Sequence, residues 1–264
     1  MLKYLKKRLL RFFNSVLKRF FGYRLNKIEK FSFNKNFPDA SLHDIELMNT
    51  CSKYSLTSFD NIFFLIKAIN YVYCNKVKGD FVECGVWRGG NLILFQKMLS
   101  KLKLTKKIYA FDTFEGMTQP SEIDKMLNNG PKAKDLMSQE LKDKNKINVH
   151  CYSPLNEVIA NFKMNTENEK NLICIKGPVE KTLLNSKNLP KKISILRLDT
   201  DFYESTKIEL EILFPLLSKN GILIIDDYAC WGGAKKAVDE YFSKKKFTMF
   251  KIDFVARFII KNSI

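Results

Sequence analysis

Two short, β-branched apolar runs, ISILRL at 193–198 and GILII at 221–225, each break off at aspartates: Asp199 and Asp201 after the first, Asp226 and Asp227 after the second. Runs this short and this uniformly apolar suit parallel strands buried on both faces, and the helical stretch between them makes the pair a βαβ unit. That unit commits the chain to the α/β class. Adjacent parallel strands point the same way, so both aspartate pairs come to the carboxyl edge of the sheet, where open α/β sheets bind their ligands. One such pair alone reads as a helix cap or as solvated loop acids. Two pairs in one unit crowd three or four carboxylates, which repel one another unless a hard cation neutralises them. A donor set made only of oxygens points to Mg2+.

The rest of the chain supplies the sheet. GDFVECGVWRGG at 79–90 is a strand ending in an acid and a glycine-rich turn, followed by the helical LILFQKMLSKL; KIYAFDTF is a strand ending in Asp112. A helix at about 154–167, a strand NLICIKG, a helix AKKAVDEYFSK and a closing pair FTMFKIDF and ARFIIK complete seven strands. The expected fold is a seven-stranded Rossmann-like α/β sheet, mostly parallel, with an antiparallel last strand and helices on both faces. At 264 residues and 45% hydrophobic content the chain suits one such domain with additions. The additions are a basic segment at 1–25, a helical extension at 26–75 with an apolar helix at about 59–73, and a polar Lys- and Asn-rich insertion at about 117–150, expected to be a lid or disordered. The sheet domain itself is expected at 76–264.

The first βα turn bears on which ligand enters. Gly85, Gly89 and Gly90 let the backbone pass close to a bound molecule, but the spacing is not GxGxxG, and Glu83 ahead of it would repel a pyrophosphate. An acid there suits instead the ammonium end of S-adenosylmethionine (SAM). Asp112, at the end of the second strand, is placed to take the two hydroxyls of a ribose. The bland alternative is that the glycines serve only the tight turn and Asp112 only caps.

Charge and rare residues narrow the partners. Net charge is +17, and residues 1–30 hold ten Lys or Arg against one acid, Glu29. Leu2, Leu5, Leu9, Phe12, Val16 and Phe20 recur at helical spacing among those cations, as in a basic amphipathic helix. Such a helix lies on an anionic membrane surface or docks on the domain or on a second subunit; a homo-oligomer is expected. It is not a signal peptide, since basic residues interrupt every apolar core. No nucleic-acid signature accompanies the charge. Six cysteines without metal spacing read as reduced packing residues of a cytoplasmic protein, peripheral at most to the inner face of a membrane. Only His43 and His150 exist, so carboxylates must carry any acid–base chemistry.

The segments FVECGVWRGGN, YAFDTFEGM, IKGPVEKTL, LRLDTDFYEST and IIDDYACWGGAKKAVDEY, in that order, closely resemble the macrocin-type O-methyltransferases, SAM- and Mg2+-dependent enzymes that methylate sugar hydroxyls. The resemblance covers about 79–243. It implies a SAM-dependent methyltransferase fold, Asp199, Asp226 and Asp227 as metal ligands, Asp201 as the base, and SAM contacts near Glu83, Gly85, Asp112 and the turn from Gly177 to Thr182, to which the glycine-rich turn adds Gly89. The acceptor it implies is a sugar on a glycan, a nucleotide sugar or a glycosylated metabolite. Two rivals stand beside it. A metal-dependent glycosyltransferase would use Asp199 and Asp201 for a nucleotide diphosphate, but leaves Glu83, the glycines and Asp112 unexplained. A non-catalytic membrane-surface or RNA-binding adaptor predicts loss of the acids, and all are present.

Overall fold

A computed structural model describes residues 32–262. The chain divides into two compact units, Met1–Ala40 and Ser41–Ile264. In the first, the described residues contain one short helix, Phe33–Asn36; the amphipathic helix expected at 2–21 lies outside the described residues. The second unit takes in the stretch read from sequence as the end of an extension, because two of its helices pack on the sheet domain.

Those helices are α1 (Leu42–Cys51) and α2 (Phe59–Cys74). Each starts at a serine whose hydroxyl accepts an amide from the first turn, Ser41 from Asp44 and Ser58 from Asn61. The sheet follows as β1 (Asp80–Cys84), α3 (Gly90–Leu102), β2 (Ile108–Asp112), α4 (Ala133–Gln139), α5 (Leu155–Asn165), β3 (Leu172–Lys176), α6 (Val179–Thr182), β4 (Ile193–Leu198), α7 (Tyr203–Leu216), β5 (Leu217–Ile225), α8 (Gly232–Phe242), β6 (Met249–Lys251) and β7 (Arg257–Ile260). Spatial order is β3-β2-β1-β4-β5-β7-β6. The first five strands are mutually parallel, and β7 runs antiparallel to both its neighbours. The seven strands, their number and the single reversed strand match the sequence expectation.

Side chains alternate across the sheet. One face of the central strands, Val82 and Cys84, Leu196 and Leu198, Leu223 and Ile225, packs into a core with Leu210, Leu213 and Phe214 of α7 and Val238 and Phe242 of α8. The other face of the same strands carries Glu83 of β1 and Arg197 of β4, which lie opposite each other in register. A buried charged pair sits there in the middle of an otherwise apolar sheet.

Asp124 ties the insertion at 117–150 to the start of α7. The carboxylate is 1% exposed and accepts from the Ser121 amide and hydroxyl at 2.7 and 2.6 Å and from the Tyr203 amide at 2.8 Å. Phe202, the residue capping α7, offers no side-chain oxygen, so Asp124 supplies the missing cap from the insertion. A Cβ on Gly233 would collide with that carboxylate, which explains one of the paired glycines that open α8. Ala133, Phe202, Trp231 and Ala234 then form a small core joining the insertion to the starts of α7 and α8.

Candidate active site

The strand-end amides carry the ladder one residue past the sheet: Gly85 to the Phe111 carbonyl, Gly177 to Asp112, Asp199 to Cys84 and Asp226 to Leu198, all within 2.8–2.9 Å. The turns at Gly85, Asp112, Gly177, Asp199 and Asp226 therefore form one continuous rim. A cavity of about 350 Å³ opens along it, and it is walled on the other sides by Thr57, Ser58 and Asn61, by Met117 and Thr118 of the insertion, and by Asp253 and Val255.

At one end of this cavity the aspartates meet. One carboxylate oxygen each of Asp199, Asp226 and Asp227 lies within 4.8 Å of the others. The Asp199 and Asp226 carboxyls lie close enough to shift each other's protonation, and so do those of Asp201 and Asp227. Carboxylates this close are eased by protonation or by a cation. Enclosure in the cavity raises all four pKa values, that of Asp226 to about 8, with the neighbouring acids adding to the rise at each. Asp227 Oδ2 is buried and has no hydrogen-bond partner. An orphaned carboxylate oxygen among three oxygen donors fits a hard divalent cation such as Mg2+.

Behind the aspartates stands Arg197, whose side chain is 0% exposed. Its Nη1 donates to Glu83 at 2.8 Å and to Asp199 Oδ2 at 2.5 Å, while Nη2 reaches Asp226 Oδ1 at 2.8 Å and the Thr57 hydroxyl at 3.0 Å. Burial opposes its charge, but Asp199, Asp226 and Glu83 outweigh that, and its pKa is driven well above the ordinary value. Asn61 of α2 donates a second hydrogen bond to Asp226 Oδ1. Arg197 and Asn61 thus occupy one oxygen of Asp226, and Arg197 one of Asp199, leaving the second oxygen of each for the cavity.

The cofactor-side residues divide. Gly85 has φ +79°, and a Cβ there would collide with the Asp199 carbonyl oxygen, so only glycine lets the first turn pass beside the aspartates. Asp112 accepts from the Val86 amide at 2.7 Å and the Phe114 amide at 2.6 Å, one on each oxygen. Glu83 Oε1 takes both Asn91, at 2.9 Å, and Arg197. Glu83, Gly85, Asp112 and Gly177 line the cavity, whereas Gly89 and Thr182 do not. Gly89 caps α3 in a left-handed conformation, and Thr182 packs its methyl group on Gly177.

A sequence model of the macrocin O-methyltransferase family matches residues 23–261. The chain belongs to that family. It is 31% identical over 187 residues to the 8-demethyl-8-(2,3-dimethoxy-alpha-L-rhamnosyl)-tetracenomycin-C 4'-O-methyltransferase of Streptomyces olivaceus, a match covering 70% of this chain and 65% of that one. With the demethyldecarbamoylnovobiocin O-methyltransferase of Streptomyces niveus it shares 31% identity over 179 residues, 67% of this chain and 63% of the relative. The chain therefore spans just under two thirds of the length of these relatives. Among solved structures, the O-methyltransferase NovP superposes with a TM-score of 0.68 at 26% identity, over 80% of this chain and 83% of that one. The calicheamicin methyltransferase CalS11, at 16% identity and a TM-score of 0.55 over 89% of this chain and 99% of that one, shares the fold. The architecture is that of the Rossmann-like SAM-dependent methyltransferases.

This member of the macrocin O-methyltransferase family also has site residues that sequence reading passed over. Arg197 interrupts the apolar run ISILRL, and a cation inside a strand buried on both faces requires a buried counter-charge, a signal that was there to be read. Thr57 and Asn61 gave none, because they lie in a stretch that reads as connector and apolar helix.

Proposed function

We propose that this protein is a SAM- and Mg2+-dependent O-methyltransferase that acts on a sugar hydroxyl of a glycan, nucleotide sugar or glycosylated metabolite. The observation that carries the reading is the meeting of four aspartates with an orphaned carboxylate oxygen, at the end of a cavity whose floor is the glycine-rich turn and Asp112. Relatives of the family named for sugar-bearing acceptors support the acceptor class.

In this reading Asp199, Asp226 and Asp227 hold Mg2+ through the oxygens that Arg197 and Asn61 leave open. When bound, the ion supplies Lewis-acid polarisation that lowers the pKa of an acceptor hydroxyl, and SAM supplies the methyl group. Asp201 accepts the acceptor proton. Its pKa, raised by burial, brings it closer to working pH than an exposed aspartate would be. Asp112, its carboxylate oriented by backbone amides, would receive the ribose hydroxyls. Glu83, which lines the cavity, would take the cofactor's ammonium while Oε1 stays on Arg197. Residues 117 and 118, with the 253–255 turn, form the acceptor side. The enzyme works in the cytoplasm in this reading, and its six cysteines are free.

The test pairs binding with turnover. Asp227→Asn and Asp199→Asn should each abolish methyl transfer from isotope-labelled SAM to a panel of nucleotide sugars and cell-extracted glycans, with SAM affinity by calorimetry kept within a few-fold. Retention of a tenth of wild-type turnover in both variants would remove the metal assignment, and absence of SAM binding by the wild type would remove the reading itself.

A further inference from the structure

The amino-terminal edge of the sheet, opposite the aspartates, carries strongly one-sided charge. The turn after α2 and the starts of β4 and β5 bring Lys76, Lys78, Lys191, Lys192 and Lys219 around a cleft of about 510 Å³ whose remaining polar lining is uncharged. Lysines at this edge have an ordinary use, which is to cap the carbonyls left open at turns and helix C-termini. That use is already filled by two others. Lys106 Nζ donates to the Val77 and Gly79 carbonyls at 2.8 and 2.6 Å, and Lys261 Nζ to those of Phe214, Pro215 and Leu217 at 3.0, 3.1 and 2.7 Å. Asp80, whose amide bonds the Lys192 carbonyl, turns its carboxylate to the Lys107 amide.

Some lysines elsewhere on the described surface are paired with acids: Lys132 and Lys134 with Glu122, Lys163 with Glu169, Lys176 with Glu115, Lys235 with Asp239. Among the described residues no ion pair involves any of the five cleft lysines. What sets the cleft apart is five lysines and no acid in one lining. Ammonium groups are compact point charges with three donors each, and several converging on one concavity match the dense charge and three acceptor oxygens of a phosphate group.

We propose that this cleft binds a phosphate group, carried by a soluble phosphate ester or by the head group of an anionic lipid. Full-length protein is titrated with pyrophosphate by calorimetry at low salt, and sedimented in parallel with phosphatidylcholine vesicles containing phosphatidic acid. Lys76→Gln/Lys191→Gln/Lys219→Gln should weaken binding about tenfold or more, while Lys132→Gln/Lys134→Gln/Lys163→Gln, equal in charge but on the acid-laced surface, should stay within about twofold. SAM affinity, carried at the opposite edge, reports that each variant is folded; should the triple variant fail that check, Lys219→Gln alone should still weaken binding about threefold. Pyrophosphate binding lost in the cleft variant assigns a soluble ester, and vesicle binding alone lost assigns a head group. Equal loss in the charge-matched control, or no binding of either probe by wild type, overturns the proposal.

Discussion

Arg197 is the residue on which the site's electrostatics turn. It neutralises Glu83 and holds Asp199 and Asp226 from behind, so Arg197→Met leaves a fully buried carboxylate without its partner. That should cost on the order of 3–5 kcal/mol in denaturant unfolding, far above the usual effect of a surface change, with Arg197→Lys recovering part of it. A loss under about 1 kcal/mol would show that Glu83 and its neighbours are neutral without the guanidinium. Asp201 makes a different prediction, because it is proposed as a base and not as a ligand. Asp201→Asn should lower kcat by roughly 100-fold or more at unchanged Mg2+ dependence; a large rise in the Mg2+ needed for half-maximal rate would make it a ligand instead. The convergence of the aspartates was legible because parallel strands end at one edge, whatever the helices do. Arg197's partners were not, since Thr57 lies 140 residues away in sequence and reaches the site only by tertiary packing.

At the scale of elements, the glycines and the insertion were the hardest to read. A glycine-rich turn announces a close approach but not to what: at Gly85 the neighbour is the Asp199 carbonyl, whereas Gly89 serves the start of α3. The polar stretch at 117–150 has the composition of a mobile segment, and no periodicity in it reveals that one buried carboxylate pins it to the start of α7. Asp124→Ala removes three hydrogen bonds together, among them the substitute cap on Tyr203. Stability should fall by about 1–3 kcal/mol, and proteolysis within 117–150 should speed up more than cleavage elsewhere. An unchanged cleavage pattern would show that the small core around Trp231 holds the insertion without it. The strands themselves were readable to within a few residues, because buried parallel strands leave uninterrupted apolar runs between polar turns.

For the whole molecule, the four aspartates tie stability to pH. Their pKa values are raised in the folded state, so without metal they stabilise the fold at low pH and lose that contribution as pH rises through the folded values; for Asp226 the window runs from 3.8 to about 8. The metal-free melting temperature should therefore fall between about pH 5 and pH 8.5, and Mg2+ should restore more of it the higher the pH, because binding displaces protons. A Mg2+ effect that is flat across that range would separate the cation from these carboxyls. The anchoring of the insertion by Asp124 has a consequence for how such a chain can diversify. Any replacement segment that returns an oxygen to the Tyr203 amide and fits against Gly233 keeps α7 started at the same place, and with it the turn bearing Asp199 and Asp201. On the proposed reading, Thr118 beside the cavity can then change, so the choice of acceptor can drift over generations while the reacting atoms stay in register.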